Sequence, residues 1–411
     1  MAGRGGELRG EVEALVDFEG RAPGSDAERR AAKHLAQRLR QDGRDAEIEP
    51  TDTWPRWHVA FALLAVVAVV GSVVSVSAPV PGTVLVLAAA LLTFLDASGV
   101  ARLTRRALGR RATQNVVSVE DDEKPGTVVL VAHYDAGQLG ALFGRRLEER
   151  RAALGRLIRR PIGRIEPFFW AQLLILLCCL LRLPGLEGTA ITAVQFVPTV
   201  VLIVAVPLLV DVALSPTSPG ANDNGSGVAI AIELARRHGG ALEHFDLWVL
   251  FTGSQESLAD GMRAFLRRHR TSLERTRTVF LNLDEVGAGS VRFTRREGAL
   301  FTVRSHVQLV DLCEEIAEDD EDGAFGGRAI VNRTQSDGGA ARAKGYPAIT
   351  ISCRNVLDYV PDHHRSTDTP GRVEESALER TLGFCGELLE RLDAQVGPQI
   401  EQAGVAVSES D

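Results

Sequence analysis

Val128-Val129-Leu130-Val131-Ala132-His133-Tyr134-Asp135-Ala136-Gly137 is the stretch on which the reading of this chain turns. β-Branched and aliphatic residues run between Pro125-Gly126 and Gly137, a pattern that predicts a buried strand rather than a short helix. The strand closes on His133 and Asp135. Two apart on an extended chain, an imidazole and a carboxylate point the same way, so one can ligate a metal while the other holds the ring's second nitrogen. Alone, the pair describes a buried, hydrogen-bonded histidine equally well.

Outward from this strand, the apolar residues of the 411-residue chain gather in two blocks, and length alone allows one large domain or two smaller ones. The first block runs from Trp57 to Val100 and is broken by Pro79-Val80-Pro81-Gly82. The second runs from Pro167 to Leu214 and is broken by Arg182-Leu183-Pro184-Gly185 and Glu187-Gly188. Each is about twice the roughly 20 residues of one membrane crossing, with a turn in its middle, which predicts two transmembrane helical hairpins at 57–100 and 167–214. Val59 to Val70 has no polar face to offer water. Met1 to Asp52 is charged and helical in pattern, without the apolar core or small-residue cleavage site of a signal peptide.

Arginines flank the blocks, with Arg102, Arg105 and Arg106 after the first and Arg145 to Arg164 rich in them before the second, whereas the inner turns carry only Arg182. Positive charge stays inside, so the soluble mass is expected to face the cytoplasm from an inner or plasma membrane. Two hairpins cross an even number of times. Segments 1–56, 101–166 and 215–395 can therefore build one domain, and 396–411 is expected to be a disordered tail. A net charge of -8 carries no nucleic-acid signal, and five scattered cysteines suit a reducing compartment without zinc-thiolate spacing.

Alternating strands and helices predict an α/β domain. Expected strands include Asp45 to Pro50, Gln114 to Glu120, Phe245 to Phe251, Arg277 to Leu283, Ser290 to Thr294, Leu300 to Val303 and Ala348 to Ser352. Potential ligands recur where strands or loops end: His133, Asp223, Glu256, Asp284, and His363 or His364. In an α/β sheet such ends share one rim and can converge on one crevice. Imidazoles and carboxylates are the nitrogen and oxygen ligands that zinc takes. The Gly225-x-Gly227 pair before the helix at Val228 is a poor phosphate loop.

The order and spacing of these groups resemble metallopeptidase family twenty-eight, the di-zinc aminopeptidases that also include glutaminyl cyclases and glutamate carboxypeptidase. Arg21-Ala22-Pro23-Gly24-Ser25 looks like the family's Arg-x-Pro-Gly-Ser opening, and His133-Tyr134-Asp135 like its His-x-Asp motif. Gly220-Ala221-Asn222-Asp223-Asn224-Gly225-Ser226-Gly227 looks like its bridging-aspartate loop and Asn282-Leu283-Asp284 like its second-metal aspartate. His364-Arg365-Ser366-Thr367-Asp368-Thr369 is similar to the closing His-x-x-x-Asp-Thr, which favours His364 over His363. The resemblance implies a mixed central sheet flanked by helices, interrupted here by the two hairpins, and two zinc ions. His133 and Asp284 would hold one, Glu256 and His364 the other, and Asp223 both, with Asp135 and Asp368 orienting the histidines.

The resemblance further implies a membrane-anchored, zinc-dependent exopeptidase of aminopeptidase type, whose partners are a peptide substrate and the lipid bilayer; the sequence leaves the oligomeric state open. One departure stands at the centre of the site: family enzymes carry paired glutamates, and this chain has Gln255-Glu256. An amide cannot take a proton from water, and general acid-base help is worth about 10²- to 10⁴-fold. Gln255 can still hydrogen-bond the water, and Glu285 is the nearest substitute base. The alternatives are a metal-retaining pseudo-peptidase that binds peptides or a membrane partner and, less directly, glutaminyl cyclase chemistry.

Overall fold

The computed structural model describes residues 4–186, 188–320 and 323–408. Among the described residues, nine strands form one mixed sheet: β1 (Glu47–Thr53), β2 (Arg111–Ser118), β3 (Gly126–His133), β4 (Phe245–Thr252), β5 (Thr278–Leu283), β6 (Ser290–Glu297), β7 (Val303–Arg304), β8 (Arg328–Asn332) and β9 (Ala348–Arg354). Their spatial order is β1-β2-β4-β3-β5-β9-β6-β7, with β8 beside β6. β4, β3, β5 and β9 are parallel neighbours; β1, β2 and β6 pair antiparallel outside them.

Alternation along β3 sorts its side chains between two cores. Val128, Leu130 and Ala132 pack with the helices Arg4–Val16, Asp26–Gln41, Ser226–His238 and Glu375–Gln395, while Val129 and Val131 face Asp260–Arg268 and Asp337–Arg342 on the other side. Both faces are covered, which is why the strand reads as an unbroken apolar run.

Four helices form a separate bundle: Trp57–Val74, Pro79–Ser98, Glu166–Arg182 and Thr189–Leu214. Three are long and apolar enough to cross a membrane; Glu166–Arg182 is 17 residues with a charge at each end. The bundle buries small residues such as Ala60, Ala65, Ala68, Gly71 and Ala89. Large ones, among them Leu63, Val70, Leu87, Leu91 and Phe196, are exposed on its outside. Small residues let the helices approach closely, and Phe61, Leu64, Ile175 and Leu202 fill the remaining interior. At its base, buried Asp260 holds Arg102 at 2.9 Å and Arg105 at 3.3 Å, and also accepts hydrogen bonds from Thr53 and the Trp54 N–H, fixing the bundle to the sheet domain.

Three expectations are corrected. Pro79-Val80-Pro81-Gly82 does not form the turn of the first hairpin; Pro79 opens the second helix, where the first-turn N–H needs no partner, and the turn falls at 75–78. Leu300 to Val303 is not a strand beyond Val303–Arg304, because Leu300 is drawn into the core at the base of the bundle. The tail is not disordered throughout: Gly397–Ser408 is helical, and Ile400 is buried against the main core.

Candidate metal centre at the carboxyl edge of the sheet

β3 is flanked by β4 on one side and β5 on the other, so the chain order reverses across it and a crevice opens beyond its carboxyl end. His133 is the last residue of β3, and Asp284 follows the last residue of β5. Gln255 and Glu256 lie three and four residues past β4. Asp223 comes from the loop before helix Ser226–His238, and His363 and His364 from the loop between β9 and the helix Glu375–Gln395.

These side chains meet around Asp223. The His133 Nε2 atom lies 3.3 Å from Asp223 Oδ1 and 3.4 Å from Asp284 Oδ1. The His364 Nε2 atom lies 2.8 Å from Glu256 Oε1 and 3.4 Å from Asp223 Oδ2. One oxygen of Asp223 thus faces the His133 side and the other the His364 side. His363 also enters, with Nδ1 3.0 Å from Asp223 Oδ2 and hydrogen-bonded to Glu285.

The loops are held by polar groups at their backs. The Asp135 carboxylate accepts the backbone N–H groups of Gln255 and Glu256, each at 3.0 Å, and its backbone oxygen lies 3.1 Å from His133 Nδ1. Asp135 therefore positions the β4 loop as well as the imidazole. Asp368, expected to orient a histidine, instead accepts the N–H groups of Asn222 and Asp223 at 2.7 and 3.1 Å, because the closing loop lies under the Asp223 loop rather than behind His364. Buried Arg21 donates to the carbonyls of Leu15, Tyr134, Pro219 and Gly220, tying two site loops together. Glu28, which the sequence reading did not single out, accepts from Gly24 N, Thr113 Oγ1 and Ser254 N. Ser254, Glu285 and His364 hold positive φ of 54°, 59° and 51°, a conformation costly for residues with side chains and concentrated at working sites.

Burial pushes Glu256 well above the usual carboxylate range, with Asp223 adding repulsion, and burial likewise raises Asp284. Burial opposes charge on Asp223 too, but His363, His133 and His364 outweigh it and hold its carboxyl well below the ordinary value. Burial and the neighbouring His363 keep His364 neutral. Among the described residues, Asp223 Oδ2 and His364 Nδ1 are buried without a hydrogen-bond partner. His133, Asp223 and Glu256 offer ligand atoms within 4.8 Å of one another, as do Asp223, His363 and His364. A buried nest of carboxylates and neutral imidazole nitrogens, with lone pairs unanswered, fits divalent cations of the zinc type.

The crevice is a solvent-open cleft of about 730 Å³ whose other walls come from Trp57 at the start of the bundle and from Phe143, Arg164 and Ile165 in the segment before the helix Glu166–Arg182. Phe143 packs on His364 with ring centroids 4.3 Å apart. Phe143 lies outside every metal motif of the sequence. Gln255 faces the cleft, and its amide nitrogen donates to the Gln335 carbonyl at 3.0 Å.

Residues 209–388 match Peptidase family M28. A Vacuolar membrane protease of Schizosaccharomyces japonicus is 39% identical over 90 residues, which is 22% of this chain and only 10% of that protein. Among solved structures, a Zn-dependent exopeptidase from Parabacteroides distasonis superposes with a TM-score of 0.54 at 13% identity, over 94% of this chain and 97% of that one. An aminopeptidase from Aneurinibacillus gives 0.54 at 14% identity over 95% and 94%, and a glutaminyl cyclase from Tannerella forsythia gives 0.54 at 14% over 94% and 98%. The resemblance read from the motifs thus holds by sequence over 209–388, and the zinc-aminopeptidase architecture holds by fold over nearly the whole chain.

Proposed function

On the premise of an M28 peptidase fold, we propose that this chain is a membrane-anchored zinc exopeptidase of aminopeptidase type, with its cleft at the cytoplasmic face of the bilayer. The observation that carries the reading is the convergence of His133, Glu256, Asp284 and His364 on the two oxygens of Asp223. His133 and Asp284 would hold one zinc, Glu256 and His364 the other, with Asp223 shared. When bound, the metal pair supplies Lewis acidity, which polarises the scissile carbonyl and acidifies the attacking water.

The chain's own residues do the rest. Asp135 fixes the His133 ring and the backbone of Gln255 and Glu256, so the reacting groups stay in register. Gln255 can orient water through its side-chain oxygen but takes no proton. Glu285 lines the same cleft and is hydrogen-bonded to the His363 ring. Glu285 can receive the water's proton and return it to the amine as the C–N bond breaks.

Burial and Arg164 work against a charged His363, yet Glu285 and Asp223 prevail and raise it to about 9. Gln255 held by the Gln335 carbonyl favours a second reading, a metal-holding protein that binds peptide ends without cleaving them. The experiment is a screen of aminoacyl amides and dipeptides, with zinc content measured on the same preparation. Turnover with about two zinc ions supports the peptidase; zinc with binding but no turnover supports the second reading; no zinc removes both.

A further inference from the structure

Beside the carboxylate-lined cleft lies a second cavity of about 1140 Å³, open to solvent and lined by eight arginines and a single carboxylate, Asp358. The two are contiguous, sharing Arg164, Arg333 and Thr334. One wall is the helix Arg145–Leu157 with the turn that follows it; the other is β8 and the end of β9.

The cations are not balanced from within. Among the described residues Glu148 answers Arg151 and Arg164, Glu166 answers Arg160 and Arg333, and Asp358 answers Arg328. Three carboxylates thus face eight guanidinium groups. Arg354 is 8% exposed; among the described residues its one side-chain bond goes to Asn332 Oδ1 at 3.3 Å, and its Nε has no partner. Arg156 and Arg159 also line the groove and are exposed. A buried guanidinium without a counter-charge costs several kcal/mol, and fixed planar donors in such a setting suit carboxylate or phosphate oxygens.

We propose that this groove is an anion-binding subsite that receives the acidic part of a peptide whose amino end lies in the cleft, so that the substrates are peptides with carboxylates beyond the scissile bond. The proposal rests on the peptidase reading. It follows from continuity: a chain leaving the cleft past Arg164 and Arg333 enters the groove at once. Opposite charge in the two compartments also sets direction, the amine toward carboxylates and the acidic portion toward arginines. A lipid phosphate shares the chemistry, but the buried Arg354 sits on the sheet and the groove opens into the cleft, which favours the peptide.

The test uses the full chain in neutral detergent, with Leu-Glu-Glu-Glu against Leu-Ala-Ala-Ala-amide as substrates. The wild type is expected to favour the acidic peptide in kcat/KM by about tenfold or more, through KM. R156E/R159E should cut that ratio by about tenfold, and R354Q should lower it in the same direction. Equal kcat/KM for the two peptides in the wild type overturns the proposal. If neither is cleaved, the peptidase reading has failed, and calorimetry with Leu-Glu-Glu-Glu decides the groove separately: binding abolished in R156E/R159E sustains an anion site for peptides, and absent or unaltered binding overturns it. Unchanged peptide preference together with lost adhesion of R156E/R159E to phosphatidylglycerol vesicles makes the groove a lipid site and also overturns it.

Discussion

The helix bundle and the metal crevice both break the ordinary rule that bulk apolar groups go inside and charge outside, and they break it in opposite ways. In the bundle, Ala65, Ala68 and Gly71 are inside while Leu63, Val70 and Leu91 are exposed. In the crevice, Asp223, Glu256 and Asp284 are packed beneath the surface with His133 and His364. On the proposed reading each arrangement would be completed by a partner the polypeptide does not supply: hydrocarbon around the bundle, positive charge in the crevice. A burial pattern that inverts the norm points to a medium to test for, and its chemistry separates a lipid from a metal.

The largest effect is expected from removing the shared oxygens. Asp223→Ala should release both zinc ions, measured by metal analysis, and abolish peptide hydrolysis; retention of a full metal complement would break the crevice half of the comparison. Next comes charge on the bundle's outside. Leu91→Arg should cost about 3 kcal/mol of membrane insertion, read as the alkali-resistant membrane fraction, whereas Ala89→Leu, which overpacks the inside, should cost about 1–3 kcal/mol of folding stability while insertion persists. If Leu91→Arg changes nothing, the bundle is not in lipid.

Arg21→Met should lose roughly 3 kcal/mol in chemical denaturation, since three backbone carbonyls in two site loops and that of Leu15 in the first helix lose a charged donor. Gln255→Glu is expected to raise turnover by about tenfold or more by supplying a base. If the wild type is already fast and the change slows it, the proton passes through Glu285 instead.

The smallest change concerns pH. Burial lifts Asp337 from 3.8 to about 7. Its folded-state value lies above the unfolded one, so the stability it contributes is full below pH 3.8 and is lost as pH rises to 7. Asp337→Asn should flatten that part of the stability profile, measured by melting temperature at pH 4, 5.5 and 7.

Much of this was legible in the chain. The apolar run at Val128 to Ala132 is legible because β3 is covered on both faces, and the apolar blocks because their length and composition stand out within short windows. The separate motifs were readable because each sits at a strand end or helix start, where local sequence sets local geometry. Asp368 was misread because a histidine-to-aspartate spacing does not say which loop lies beneath which. Glu28 reads in the sequence as part of a helix start after Ser25, and its place behind the site emerges only when β2 and the Ser254 loop close over it.

The sequence by itself determined the buried core strands, the apolar blocks and the inventory of candidate ligands, since all three follow from periodicity, length and residue type within short windows. Only the tertiary structure decided that Asp223 turns one oxygen to each histidine, that Asp135 holds the β4 loop, and that arginines from the helix Arg145–Leu157 and the turn after it, and from β8 and β9, share a groove with the cleft. The reason is physical: those relations join residues tens to hundreds of positions apart, and packing of the whole sheet, rather than any local preference, sets the distance between them.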